Sequence, residues 1–502
     1  MKNDSLFRLV KSLDRGEQRY CREALLSENC IQNEGRVLIF DALRVMPSYN
    51  SEDLKFAVKH NPISKNLAVE KTRIFQRILK YVKELHTSKL SNNDPYRRLE
   101  EGKTLLALAL HPEAVEVVQK GLKTAVDAEE LMAEVQLREL LRVIYKNMNA
   151  VIKDKTENEY LLEMASRKLS TLIAYTHIND RAFDYLRRYR VSDAEGLKKG
   201  MEELIGRPEM LDVKKANSQP AQERFFSIWN FYHSSRNELE EALRAALKVD
   251  KLMASNPARI KLHTGLYLGD LSNIIGKLNT LGRFEDSLPY LRRIEELPVK
   301  GKHLELQKFC NLELQYQFYY LNTGRLGDAL KREEKIHAGI KRFGNEMKDS
   351  FKLTLLYNLG VSHLLNDTPG RALFVFNSIK DLGELRDRID LQGVARLLRL
   401  LLLENQEDEV NFSHYLRNSK RFFSNKDRSY ELEKMVYDWL GVQHKLVGTI
   451  ERKEGYGNLA DSVEPLVSRS ILGAEEIFIW ARAKRRGVST EKVYKENLKQ
   501  GS

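Results

Sequence analysis

The sequence predicts an all-α protein built from stacked helical hairpins, and three observations predict it. The first is composition: across 502 residues Gly (27) and Pro (11) are sparse, Leu, Ala, Glu, Lys and Arg are abundant, and alternating Val/Ile/Thr runs are missing, which favours helix over strand. The second is periodicity. In LLYNLGVSHLLNDTPGRALFVFNSI (355–379), Leu356, Leu359, Gly360 and His363 share one helical face. NDTPG then supplies a turn, with Asp367 or Thr368 suited to an N-cap and Pro369 to a first helical position. Ala372, Phe376 and Ile379 form a second stripe, and Gly360 opposite Ala372 would let two antiparallel helices approach closely. The third is recurrence: the small residues Ala242, Ser287, Ala329 and Ala372 are spaced by 45, 42 and 43 positions.

From the N-terminus, residues 1–90 read as a helical module. LFRLVKSLDRGEQRYCREALL carries a capping-box-like Asp14 and Glu17. SEDLKFAVKHNPISKNLAVEKTRIFQRILKYVKELH reads as helix, tight turn and long helix. In the second helix Leu67, Ile74, Ile78, Tyr81 and Val82 lie on one face, with Arg73, Arg77 and Lys80 on the other. Residues 91–204 open with a hairpin that has Pro112 at a first helical position and Ala114, Val118 and Gly121 on its second helix. Heptad-like seams follow, one of Leu137, Leu141, Ile144, Met148 and Val151, the other of Leu162, Ala165, Leu169 and Leu172. They predict a long antiparallel hairpin, 128–152 against 157–190, turning at KDKTEN; two ordinary core helices are the alternative.

Residues 205–222, with Gly206, Pro208 and Pro220, read as a linker. Residues 223–450 form the repeat array. Residues 451–502 supply capping helices and a basic tail, broken at Gly487.

Leu359-Gly360, His363 where tyrosine is usual, Ala372, Phe376 and Ile379 resemble the tetratricopeptide (TPR) pattern. LNTGRLGDALKREEKI, LNTLGRFEDSLPYLRRI and FYHSSRNELEEALRAAL align with it, with Gly324, Ile336, Gly282, Leu291, Ile294 and Ala246 at matching positions. ARLLRLLLLENQEDEVNFSHYLRNSKRFF is a degenerate copy, so the resemblance covers 222–424. The period exceeds the roughly 34 residues of the standard repeat, so this is a long-helix variant. Leu6-Phe7, Ser12-Leu13 and Arg19-Tyr20 resemble the start of a group of uncharacterised bacterial TPR-containing proteins, which implies no activity.

The resemblance implies an α–α superhelical solenoid whose inner, helix-A face binds a peptide or helix of another protein. In this register the inner positions are Arg224, Ser227, Phe231 and Ser234, then Ser272 and Asn279, then Asn311, Leu314 and Phe318, then Tyr357 and Val361. Some of these side chains would instead pack on neighbouring repeats. The Lys/Asn/Arg clamp of chaperone-tail grooves is not supplied at these positions.

The net charge of +12 suits a polyanionic partner, but acidic and basic residues are interleaved, as on any solvated helical surface. The alternative function is therefore nucleic-acid or ribosome-associated regulation, using Arg73, Arg77, Lys80 and the basic tail from Arg482 to Lys499. The three cysteines, the absence of a secretory h-region and the arginine-interrupted apolar run at 395–405 predict a cytoplasmic protein without membrane insertion.

Catalytic patterns are missing. EGKT (101–104) has Arg97 where a phosphate loop needs glycine, and GYGNLA (455–460) lacks a preceding strand and reads as a loop. No His-Glu-x-x-His occurs among the 11 histidines, Cys21 and Cys30 have no second metal-spaced pair, and His363 reads as a packed core histidine. The expectation is a non-catalytic interaction scaffold with no cofactor and no metal; its oligomeric state stays open.

Overall fold

A computed structural model describes residues 4–13, 15–27, 33–89, 94–148, 152–189, 194–380, 382, 388–404, 409–424, 431–444, 446, 448–469 and 471–501. Asp14, Cys30 and Val151 lie outside the described residues. Every regular element among the described residues is helical, and the fold is all-α. Two compact units are formed, residues 1–237 with 248–263, and residues 238–247 with 264–502.

In the first unit, the helices Ser5–Ser12, Arg15–Ser27, Asn33–Val45 and Leu67–Lys89 close on Leu6, Ile39, Phe40, Ile74 and Ile78. The apolar face expected of the long helix is the buried one, and the turn before it is the 3-10 segment Pro62–Asn66. A hairpin of Pro95–Ala107 and His111–Asp127 follows, with Ala114, Val118 and Gly121 buried as expected. Gly102 of EGKT lies within the first of these helices, against Val118 and Leu140, so this stretch is no phosphate loop.

The long hairpin exists, as Leu131–Asn147 against Ile152–Tyr189, but KDKTEN does not turn. It forms the first turns of the second helix. The run holds no Gly or Pro, Asp154 suits the positive end of a helix dipole, and Asn158 is buried, donating from Nδ2 to the Arg138 carbonyl at 3.0 Å. Between Ile205 and Gln219 the chain makes two short 3-10 turns that bury Met210 and Ala216 in the same core as Phe225 and Ile228.

The second unit is a succession of hairpins. Thr264–Thr280 pairs with Phe284–Glu296, and Lys302–Asn322 packs with Leu326–Leu330 and, beyond a break, Glu333–Phe343. Asp349–Leu365 pairs with Pro369–Lys380, and Ile389–Leu403 with Glu409–Ser424. Glu431–Gln443 meets Thr449–Ser468, and Ala474–Arg486 meets Thr490–Gly501. From Thr264–Thr280 to Glu431–Gln443, each hairpin's first helix also touches the first helix of the next, which is the stacking of a helical-hairpin solenoid. Ala242, Ser287, Ala329 and Ala372 are all at most 1% exposed, so the residues that marked the period are the close-contact points of the second helices.

The turns repeat as strictly. Ala109, Asn237, Gly282, Gly324 and Asp367 all have positive φ, between +54° and +72°, and each stands five residues before a buried small residue: Ala114, Ala242, Ser287, Ala329 or Ala372. In four of them the next residue's N–H returns to the carbonyl five positions back (Leu110 to Leu105, Arg283 to Leu278, Arg325 to Tyr320, Thr368 to His363) at 2.9–3.0 Å. Each first helix thus ends in a left-handed residue, in four cases with a Schellman-type bond, and the second helix starts at a fixed offset. Glu129, at φ +48°, makes the same turn between His111–Asp127 and Leu131–Asn147.

Two further expectations are corrected. Gly360 faces Phe376 rather than Ala372; a methyl group there would stand 2.5 Å from the Phe376 ring. GYGNLA lies inside Thr449–Ser468 and not in a loop. Gly455 packs on Gln443 and Gly457 on Arg485, so its glycines serve close side-chain approach.

Candidate partner-binding face

The predicted inner positions divide between the two units. In the first, on Gln219–Ser235, Arg224, Ser227, Phe231 and Ser234 are half-buried. The Ser227 hydroxyl donates to the Glu223 carbonyl at 2.8 Å, and the Phe231 ring lies 6.3 Å from Phe183. Ser234 donates to Asn230 Oδ1 at 3.3 Å.

In the second unit the positions fall into two sets. Ser272, Asn311 and Leu314 are half-buried and Phe318 is 41% exposed, its ring 6.2 Å from Phe284. Asn279, Tyr357 and Val361 are buried. Asn279 donates from Nδ2 to Gln315 Oε1 at 3.0 Å, stitching one hairpin to the next. These three side chains are spent inside the chain and leave the candidate contact set.

What covers Tyr357 is the chain itself. Ala474–Arg486 and Thr490–Gly501 both pack on Asp349–Leu365, and the Tyr357 hydroxyl donates to Glu476 Oε1 at 3.1 Å. Burial pushes the Tyr357 phenol well up and raises the Glu476 carboxyl, so the neutral form of each is favoured more than it would be in water. Asp367, beyond the end of the same helix, accepts the Thr490 N–H at 2.9 Å and the Glu491 N–H at 3.2 Å, which caps the last helix. Arg486 pairs with Glu496, and Asn497 Nδ2 donates to Glu475 at 2.8 Å, so the two C-terminal helices are also tied to each other. Sequence reasoning missed this docking: the cap was expected at the end of the array, and no local signal pairs Asp367 with Thr490.

The basic face of Leu67–Lys89 is partly paired. Arg73 pairs with Glu70, which also holds the buried Arg36 at 2.7 Å, and Lys80 lies 4.0 Å from Glu84. These guanidinium ions keep the Glu70 carboxyl below its usual range despite burial. Arg77 is half-buried. His363 is buried, with Nδ1 at 2.9 Å from Thr368 Oγ1 and Nε2 at 3.1 Å from Glu333. No group of side chains among the described residues is arranged to hold a metal, and none of the described helices is long and apolar enough to cross a membrane.

No family profile and no curated protein matches the chain. Among solved structures it is similar to a Signal Transduction ATPase with Numerous Domains (STAND) protein with a tetratricopeptide repeat sensor from Pyrococcus horikoshii. The identity is 14% and the TM-score 0.37, over 86% of this chain and 56% of that one, so the chain spans little more than half of that protein's length.

Proposed function

We propose that the protein is a non-catalytic, cytoplasmic interaction scaffold that takes a helix or extended segment of another protein on the inner face of its second unit. One observation carries the reading. Leu314 and Phe318 stand 43 residues before Tyr357 and Val361, at the same places in the preceding hairpin. Tyr357 lies under a helix of the chain itself, and both later residues are buried, whereas Phe318 remains 41% exposed. A face that already seats helices at one hairpin offers an aromatic and amide surface, Asn311, Leu314 and Phe318, at the previous one. Such a surface suits a few hydrogen bonds and one aromatic anchor.

The alternative, a nucleic-acid or ribosome partner, rests on the +12 charge and on Arg73, Arg77, Lys80 and the tail. The close pairing of Arg73 with the buried Glu70 weighs against it. Both are tested by purifying the tagged protein from its native cells with and without nuclease. A small protein set that survives nuclease and moderate salt, and is lost with Phe318→Ala, is expected. A nuclease-sensitive set rich in ribosomal or chromosomal proteins would overturn the scaffold reading, since phosphate contacts are steeply salt-dependent.

A further inference from the structure

Most arginines that this protein buries hold a carboxylate. Arg36 binds Glu70 at 2.7 Å, Arg138 binds Glu134 at 2.8 Å and Arg259 binds Glu223 at 2.7 Å. Arg399, on Ile389–Leu403, is as buried as these, at 8% exposure, and has no ion pair with any described residue. Its Nε is buried without a hydrogen-bond partner. One turn earlier, the half-buried Arg396 also lacks an ion pair with a described carboxylate. Both guanidinium groups sit over rings of Glu409–Ser424, Arg399 at 3.7 Å from the centroid of Tyr415 and Arg396 at 4.2 Å from that of Phe422. Together with Phe376, Ile379, Gln392 and Ala395 they line a small open cavity of about 20 Å³.

Two adjacent cations, one buried and one half-buried, repel each other. Stacking on an aromatic face and a hydrogen bond to Tyr415 offset part of the lost hydration, yet the buried Arg399 Nε–H stays without a partner. Burial lowers the pKa of both side chains, and for Arg396 the neighbouring Arg399 charge adds to this. A group that brought negative charge and planar acceptors into the cavity would relieve both costs.

We propose that the cavity between Arg396 and Arg399 is a binding site for a single carboxylate. The cavity is open and its free space is about that of one water, so a planar carboxylate can enter with one oxygen where a bulkier tetrahedral oxyanion would be held outside. The carboxylate could belong to a free small acid or to an Asp or Glu side chain of a bound protein. The site stands apart from Leu314 and Phe318 and holds whether or not that surface takes a partner.

The test is thermal unfolding of the full chain in acetate, in succinate and in glutamate blocked at both backbone ends, each against sodium chloride at equal ionic strength. Sodium sulfate and sodium phosphate are the controls. A saturable rise in Tm with at least one carboxylate, with apparent affinity weakened about tenfold or more in Arg399→Met, is expected. A stronger response to blocked glutamate than to acetate or succinate identifies a protein side chain as the natural source; the reverse identifies a free acid. Arg396→Met, at the more exposed site, gives the same test should Arg399→Met not fold. No carboxylate-specific rise, an equal rise in the variants, or a response to sulfate or phosphate alone overturns the proposal.

Discussion

Asp367 holds the start of a helix 123 residues further along the chain, accepting the Thr490 N–H at 2.9 Å from a backbone that is itself left-handed, at φ +54°. One residue therefore serves two ends: its backbone turns a hairpin and its side chain caps the last helix. Asp367→Ala removes the acceptor and keeps the strained backbone, so a loss of about 1–2 kcal/mol is expected. Asp367→Asn retains one acceptor oxygen and the tolerance for positive φ, and should lose much less. Denaturant titration reads both, and hydrogen exchange over 490–501 should quicken in the alanine variant alone. Equal behaviour of the two variants would refute the cap.

The recurring left-handed turn makes opposite predictions at its different residues. Ala109 adopts φ +60° with a side chain that disfavours it, so Ala109→Gly should stabilise by about 0.5–1 kcal/mol. Gly324, at φ +70°, is the converse: Gly324→Ala should cost about 1–2 kcal/mol, and its new methyl group would also stand 2.9 Å from Leu498. Chemical denaturation of the two variants checks the signs.

Gly360 and Phe376 are coupled by contact. Gly360→Ala should destabilise by about 1–3 kcal/mol because the Phe376 ring must move. Phe376→Leu in the same chain should recover part of that loss. Additive free energies in the double-mutant cycle would show that the two do not meet.

The pairing of Tyr357 with Glu476 has a pH signature. Because burial raises the folded pKa of Glu476, the native state binds this proton more readily than the unfolded chain. The resulting stability is present below the ordinary carboxylate range and is lost as pH rises through the raised value. Glu476→Gln keeps an acceptor for Tyr357 and cannot ionise. Its Tm should exceed that of the wild type at about pH 7–8, and the gap should close near pH 4. A gap that is constant or widens on acidification would contradict the assignment.

The sequence carried the array because its cause is local and periodic. A buried small residue must recur wherever two helices approach, and Ala242, Ser287, Ala329 and Ala372 do so. Two of the six turns hid because Ala109 and Glu129 adopt a conformation their side chains do not advertise, while Gly282 and Gly324 could be read directly. KDKTEN misled because polarity resembles a turn, although charged residues at a helix start are equally polar. The glycines of GYGNLA resembled a loop, although a packed helix needs small residues too. Of the inner face, helical register gave the positions. That Tyr357 is covered depended on the docking of 474–501, a long-range contact with no periodic trace.

That long-range contact also puts the molecule on a clock. At about 5–20 residues per second, roughly 6–25 s of synthesis separate Asp367 from Thr490. Through that interval the side of Asp349–Leu365 that carries Tyr357 has no covering helix, while its hairpin with Pro369–Lys380 can already form. A nascent chain thus displays a ready-made helix receptor that the finished chain has filled, and anything in the cell that recognises it has only those seconds to do so.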